Sequence, residues 1–140
     1  MTSAGALDAV AARLVAAGLT EARSPLGVRN EAAGKIDRSF SVKPKATALT
    51  QRGRERHRLR LSFLVELGHR LKPSSGADAP DQALTDYESA IRYIAAGGTT
   101  LTTDGAIDFG PAAFTYAGGG AFMVTAFDLA VSFDLDLSIV

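Results

Sequence analysis

The chain has 140 residues, no cysteine, and 15 basic against 15 acidic side chains. This length predicts a single domain, residues 1–140. The lack of cysteine excludes disulfides and thiolate metal ligands, and a net charge of zero argues against a simple nucleic-acid-binding protein. No run of about 18 apolar residues is present, so we expect a soluble chain without a membrane partner.

The N-terminal third predicts one helix and little regular structure after it. Residues 3–17 have apolar side chains at helical spacing, with Ser3 suited to the start and Gly18 to the end. Residues 20–36 are predicted to form a long loop, with a short edge strand as the alternative. Residues 38–43 are predicted to form a short strand that ends at Pro44, and residues 45–51 a polar connector.

Two long stretches, 52–67 and 121–139, alternate between apolar and polar side chains. A period of two places successive side chains on opposite faces of a sheet, so each stretch predicts a half-buried strand. The polar face of the first stretch is basic and that of the second is acidic. Residues 35–72 carry 11 Lys and Arg against 3 Asp and Glu, whereas residues 73–140 carry 1 Arg against 9 acidic residues.

The segment between these stretches predicts a second helix and further short strands. The helix begins near Pro80 and ends at Gly97. Residues 99–109 predict two short strands around a turn at Asp104 and Gly105, and residues 118–120 predict another turn. The fold class that follows is α+β: an antiparallel sheet with long strands, covered on one face by two helices.

The predicted length of the two alternating strands has a consequence for assembly. Strands of 15 to 19 residues would span roughly 50–60 Å, far more than the radius of a domain this size. We therefore expect another copy of the chain to cover their apolar faces. The alternative is a monomer in which bulges bend both strands.

The charged faces of the two strands are the main candidate site. Opposite charges could meet as cross-strand pairs that set the register, or at a subunit interface. The alternatives are a solvated outer face and a face directed at DNA. The candidates are Arg54, Arg56, Arg58, Arg60, Asp128, Asp134 and Asp136.

No local motif predicts catalysis, a cofactor or a metal. Gly34-Lys35 lacks the remaining residues of a phosphate-binding loop. His57 and His69 have no second ligand at a suitable spacing. Asp86 is explained as one of several acidic residues near a helix start. We therefore expect that the protein is not an enzyme.

The order of elements resembles the tail terminator, or tail completion, proteins of long-tailed bacteriophages and phage-like particles. The matching pieces are the helix opening at residues 7–10, the strand at 58–65, the helix at 81–94 and the final strand at 122–139. The resemblance covers most of the chain and is one of pattern and size. Tail tube and stopper proteins share similar features and remain alternatives, as does a non-viral module that binds an anionic partner through the basic strand.

This resemblance implies a structural role in the virion. Such proteins form a ring, usually of six copies, that ends polymerisation of the tail tube and joins it to the head connector or stopper protein. DNA passes through the ring without sequence-specific binding. Exposed loops that could contact the tube protein or connector along the tail axis contain Arg23, Arg29, Asn30, Lys35, Gly118, Gly119 and Gly120.

Overall fold

The computed structural model describes residues 3–22, 38–52, 57–70, 78–97, 107–117 and 122–135. These residues form two helices and five strands. In chain order they are α1 (Ser3–Ala16), β1 (Thr20–Glu21), β2 (Ser39–Arg52), β3 (His57–Arg70), α2 (Asp78–Ala96), β4 (Ile107–Ala117) and β5 (Phe122–Leu135). The predicted α+β class is confirmed.

The five strands form one sheet with the order β1-β2-β3-β5-β4. The pairs β2–β3, β3–β5 and β5–β4 are antiparallel, while β1 pairs with β2 in parallel. The sheet is antiparallel as predicted, except that the two-residue β1 makes it mixed at this edge. The two-residue β1 is the short edge strand that was the alternative to a continuous loop over residues 20–36.

The strand β2 corrects the prediction for residues 38–51. A short strand and a polar connector were expected, but Ser39–Arg52 is one strand of 14 residues. The register with β3 shifts between Pro44 and Ala46 and again between Leu49 and Gln51. Each bulge places one extra residue in the strand, so the side-chain alternation that would reveal a strand is interrupted twice.

The strands β3 and β5 follow the alternating stretches with shifted bounds. Arg52, predicted to open the basic strand, is the last residue of β2 and pairs with His57. Because β3 then runs to Arg70, it extends three residues beyond the predicted end. Strand β5 is confirmed over Phe122–Leu135. The remaining predicted residues, 121 and 136–139, lie outside the described residues.

The strand β4 extends beyond the second of the two short strands predicted for residues 99–109. The strand begins at Ile107 and continues through Pro111 to Ala117, with a bulge between Phe109 and Ala112. The expected turns at Asp104-Gly105 and at residues 118–120 fall outside the described parts of the chain. A proline is tolerated inside β4 because the strand lies at the edge of the sheet and the proline lies in a bulge.

Both helices pack on one face of the sheet, here called the inner face. Helix α1 buries Ala6, Val10 and Leu14, and the left-handed Gly18 (φ 94°) ends it. The amide of Gly18 donates to Val15 and that of Leu19 to Leu14, the two hydrogen bonds of a Schellman motif. Helix α2 packs across β3 and β5.

The hydrophobic core lies between the helices and the inner face. Side chains of β3 and β5 supply most of it, and all are at most 2% exposed: Leu61, Phe63, Val65, Leu67, Phe127, Leu129, Val131 and Phe133. These apolar faces are thus already buried within a single chain. The expectation that another copy must cover them is wrong over residues 61–67 and 127–133. Any contact between copies must use other surfaces of the chain.

Candidate functional site

The face of the sheet opposite the helices, here called the outer face, carries the charged side chains. It is built mainly from the even-numbered residues of β3 and β5, because a period of two directs their odd-numbered neighbours into the core. Neither described helix covers it. The outer face is therefore where the predicted pairs of opposite charge should be found.

Arg58 and Asp134 form the pair that the sequence predicts. They are direct cross-strand partners of β3 and β5, and Arg58 Nε lies 3.3 Å from Asp134 Oδ1. Both side chains are about one-third exposed. At such exposure a pair contributes roughly 0.2–1 kcal/mol, so it fixes the register more than it stabilises the fold.

The other three pairs on this face connect strands differently from the prediction. Arg60 reaches across β5 to Asp108 of β4, with 2.8 Å between Nη1 and Oδ2. Lys45 of β2 reaches across β3 to Asp128 of β5, with its Nζ 3.0 Å from Oδ2. Lys43 of β2 contacts Glu66 of β3, with 3.3 Å between Nζ and Oε1.

Small side chains lie beside the contact between Arg60 and Asp108. Ser132 and Ala130 of β5 are the cross-strand partners of these two residues. The contact between Lys45 and Asp128 instead passes Ser62 and the larger Leu64 of β3. The result is a face on which Lys43, Lys45, Arg58 and Arg60 each meet a carboxylate.

The remaining predicted site residues cannot be located on this face. Arg54, Arg56 and Asp136 lie outside the described residues. The same holds for the axial-contact candidates Arg23, Arg29, Asn30, Lys35, Gly118, Gly119 and Gly120. The structure thus brings together Arg58 with Asp134, and places Arg60 and Asp128 on the same face with partners from the outer strands.

A shallow cavity of about 270 Å³ opens on the outer face beside the β4 bulge. Its lining includes Arg60, Ser62, Asp108 and Asp128. Gly110 allows the bulge to lie close to β5, since a Cβ atom there would be 3.1 Å from Asp128 Cβ. Both carboxylates already face a cation, and no group of three metal-binding side chains occurs among the described residues.

A second polar cluster, centred on the buried Asp86 between α2 and the sheet, was not predicted from the sequence. Arg38 donates from Nε and Nη2 to the two oxygens of Asp86, both at 3.0 Å. The other oxygen contacts are His69 Nε2 at 2.7 Å and Gln82 Nε2 at 3.0 Å. This cluster joins the start of β2, the end of β3 and the middle of α2.

The protonation of Asp86 reflects two opposing effects. Burial alone would raise the pKa of this carboxyl, but the hydrogen bonds from Arg38 and His69 outweigh burial and hold the pKa below its ordinary value. Asp86 therefore stays ionised inside the protein. Asp86 and His69 are at most 3% exposed, and their cluster joins two strands to a helix, so we assign it a structural role.

One sequence signal could have revealed this cluster. Asp86 falls on the buried stripe of α2 together with Ala83 and Ala90, and His69 falls on the apolar face of β3. An ionisable residue on an apolar face requires a partner. The prediction that Asp86 is merely an acidic residue near a helix start is wrong, because α2 begins at Asp78 and Asp86 lies near its centre.

Comparison with protein-family models gives no match, and comparison with curated proteins finds no significant relative. Neither described helix is long and apolar enough to cross a membrane.

Proposed function

We propose that the chain is a structural protein of a tailed bacteriophage or phage-like particle. In this proposal it forms a ring, of six copies by resemblance, at the head-proximal end of the tail tube. The ring ends tube polymerisation and joins the tail to the head connector or stopper protein. The support is the resemblance in element order together with one observation, the outer face on which four cations of the described residues contact carboxylates of the same chain.

The paired charges suit a wall past which DNA must slide. Each unpaired lysine or arginine that meets a phosphate adds salt-dependent affinity, and several together would hold DNA in place. On the outer face the four cations that contact carboxylates are compensated by Asp134, Asp108, Asp128 and Glu66. A conduit lined by this face would have little net attraction for the duplex.

The two edges of the sheet supply the unlike patches that a ring requires. A ring repeats one heterologous contact, in which a patch meets a different patch of the next copy. Residues 43–49 of β2 are exposed and contain no aromatic side chain, whereas β4 at the other side of the sheet carries the exposed aromatic side chains Phe114 and Tyr116.

Electron microscopy tests the proposal. The purified protein is imaged alone and after mixing with the tail tube protein encoded in the same genome. We expect discrete rings, or tubes whose growth stops at a capping ring. Long tubes built from this chain alone would instead support the tail tube alternative. Single copies that neither form rings nor bind tube ends would overturn the proposal.

A further inference from the structure

Strand β4 has an edge that no other described strand covers, and its second half lacks the usual protection. Residues 112–117 (AAFTYA) contain neither a charge nor a proline. On the opposite side of the sheet β1 covers only Ser39 and Phe40 of β2. The rest of β2 carries Lys43, Pro44, Lys45 and two bulges, all features that hinder pairing with another strand. Among the described strands, β2 is therefore protected against edge-to-edge pairing and β4 is not.

Exposed apolar side chains lie beside this open edge. Phe114 is 43% exposed and Tyr116 is 61% exposed, both on the inner face of β4. Leu84 of α2 is 46% exposed and lies one helical turn before Tyr87, whose ring makes an edge contact with Phe114 at 6.3 Å. Together these residues form an apolar patch at the side of the molecule, continuous with the core.

We propose that a second copy of the chain binds here, with its own β4 running antiparallel to the first about a two-fold axis. In the register that places Phe114 opposite Tyr116 of the other copy, Thr115 lies on the axis and faces its equivalent. Even-numbered residues then meet even-numbered residues, so all four aromatic rings stay on the inner face, where aromatic cross-strand pairs are favourable.

Residues 113–117 of two copies can pair with each other through backbone hydrogen bonds and without charge repulsion. In this register residues 113–117 of the two copies pair, which forms about four to six new backbone hydrogen bonds. Because residues 112–117 are uncharged, no like charges face each other across the axis. The two sheets become one sheet of ten strands, and the Leu84 side chains of both copies turn toward the same seam.

This dimer does not depend on the proposed function. An isologous contact closes on itself, so it cannot be the repeated head-to-tail contact of a ring. In a ring-forming protein it would be a state of the free chain, in which the β4 edge is occupied before assembly. Rings seen by microscopy without a dimer in solution would leave the ring proposal standing and remove this one.

Cross-linking tests the contact sharply, because the chain has no cysteine of its own. In the variant Thr115→Cys the two sulfur atoms meet at the axis, and we expect mild oxidation to give a covalent dimer. The matched control is Thr47→Cys, an exposed threonine on β2, which should stay monomeric after the same treatment. Disulfide formation mainly in mixtures of the two variants would indicate β4–β2 pairing and overturn the proposal.

A second variant makes the test independent of the disulfide and of the exact register. Thr115→Lys places two positive charges near each other at the seam, whereas Thr47→Lys does not. Sedimentation should show a dimer for the unchanged protein and for Thr47→Lys, and a dissociation constant raised about tenfold or more for Thr115→Lys. Circular dichroism establishes that each variant is folded. An unchanged protein that is monomeric at every concentration would overturn the proposal.

Discussion

At the scale of single residues, Asp86 connects three elements through one carboxylate. It receives two hydrogen bonds from Arg38, one from Gln82, and lies 2.7 Å from His69 Nε2. A buried charge is costly unless it is fully paired, so removing one partner is more damaging than the strength of any one bond suggests. Such a residue holds α2 in a fixed position over the sheet.

The substitution Asp86→Asn should lower the free energy of unfolding by about 3 kcal/mol. This is the low end for a broken buried pair, because the Arg38 side chain remains about half exposed and can be hydrated. Asp81→Asn, an exposed acidic residue on the same helix, is the control and should change stability by less than about 0.5 kcal/mol. Urea unfolding measures both. Equal effects of the two substitutions would contradict the role assigned to Asp86.

The lowered pKa of Asp86 predicts the direction of a pH effect. Because the pKa is lower in the folded than in the unfolded chain, this carboxylate stabilises the protein fully above the ordinary carboxyl pKa, about 4. That contribution is lost as the pH falls through the lower folded value. Unfolding measured at decreasing pH should therefore show the unchanged protein and Asp86→Asn converging in stability. A constant difference down to strongly acidic pH would refute this.

Arg38 has an unfavourable backbone conformation, while its side chain makes two hydrogen bonds to Asp86. Its φ of 52° is left-handed, which costs a residue with a Cβ atom about 1 kcal/mol. Both Arg38→Ala and Arg38→Gly lose the contact with Asp86, but only glycine relieves the backbone. We expect Arg38→Gly to be more stable than Arg38→Ala by about 1 kcal/mol in thermal unfolding. At Ala48 of β2 we expect alanine to be the more stable residue, so Ala48→Gly should lower the free energy of unfolding.

At the scale of elements, the predictability of each strand depends on which faces are buried. Strands β3 and β5 lie inside the sheet with one face in the core, so their alternation is complete enough to identify them. Strand β2 lies near the edge, and its residues from Lys43 to Leu49 are all exposed. With two bulges and no buried stripe over that length, β2 has the composition of a connector although it forms 14 residues of strand.

The pairing of β3 with β5 makes a prediction about charge and register. Arg58→Asp alone, or Asp134→Arg alone, places like charges directly opposite each other and should lower the free energy of unfolding by about 1 kcal/mol. The double exchange restores opposite charges and should recover most of that loss. A double-mutant cycle from urea unfolding at low salt gives the coupling. No recovery in the exchanged variant would show that the pair does not influence the register.

At the scale of the whole molecule, the sequence predicts the fold class and the layer order better than the details of the site. Alternation identifies an apolar and a charged face on β3, and Arg58 with Asp134 follows from it. It cannot show that Arg60 reaches β4 or that Asp128 meets Lys45, because those contacts depend on the strand order across the sheet. The Asp86 cluster likewise depends on where α2 crosses the sheet.

Removing carboxylates from the outer face should convert it into a DNA-binding surface. Asp128→Asn with Asp134→Asn leaves Lys45 and Arg58 without these carboxylate partners. We expect higher affinity for duplex DNA in fluorescence anisotropy, with a salt dependence steeper by about two units, one per added phosphate contact. Glu21→Gln with Asp81→Asn makes the same change in net charge away from this face and should have a smaller effect. Equal gains in both variants would attribute binding to net charge alone.

The position of β5 also determines when this protein can fold. Although β5 is the last described strand in the sequence, it lies between β3 and β4 and is the direct partner of both. During synthesis β4 therefore emerges before its neighbour, and one side of β3 remains without a backbone partner. The apolar side chains of β3 therefore stay exposed to water until residues 122–135 are made, so the core can close only late in synthesis.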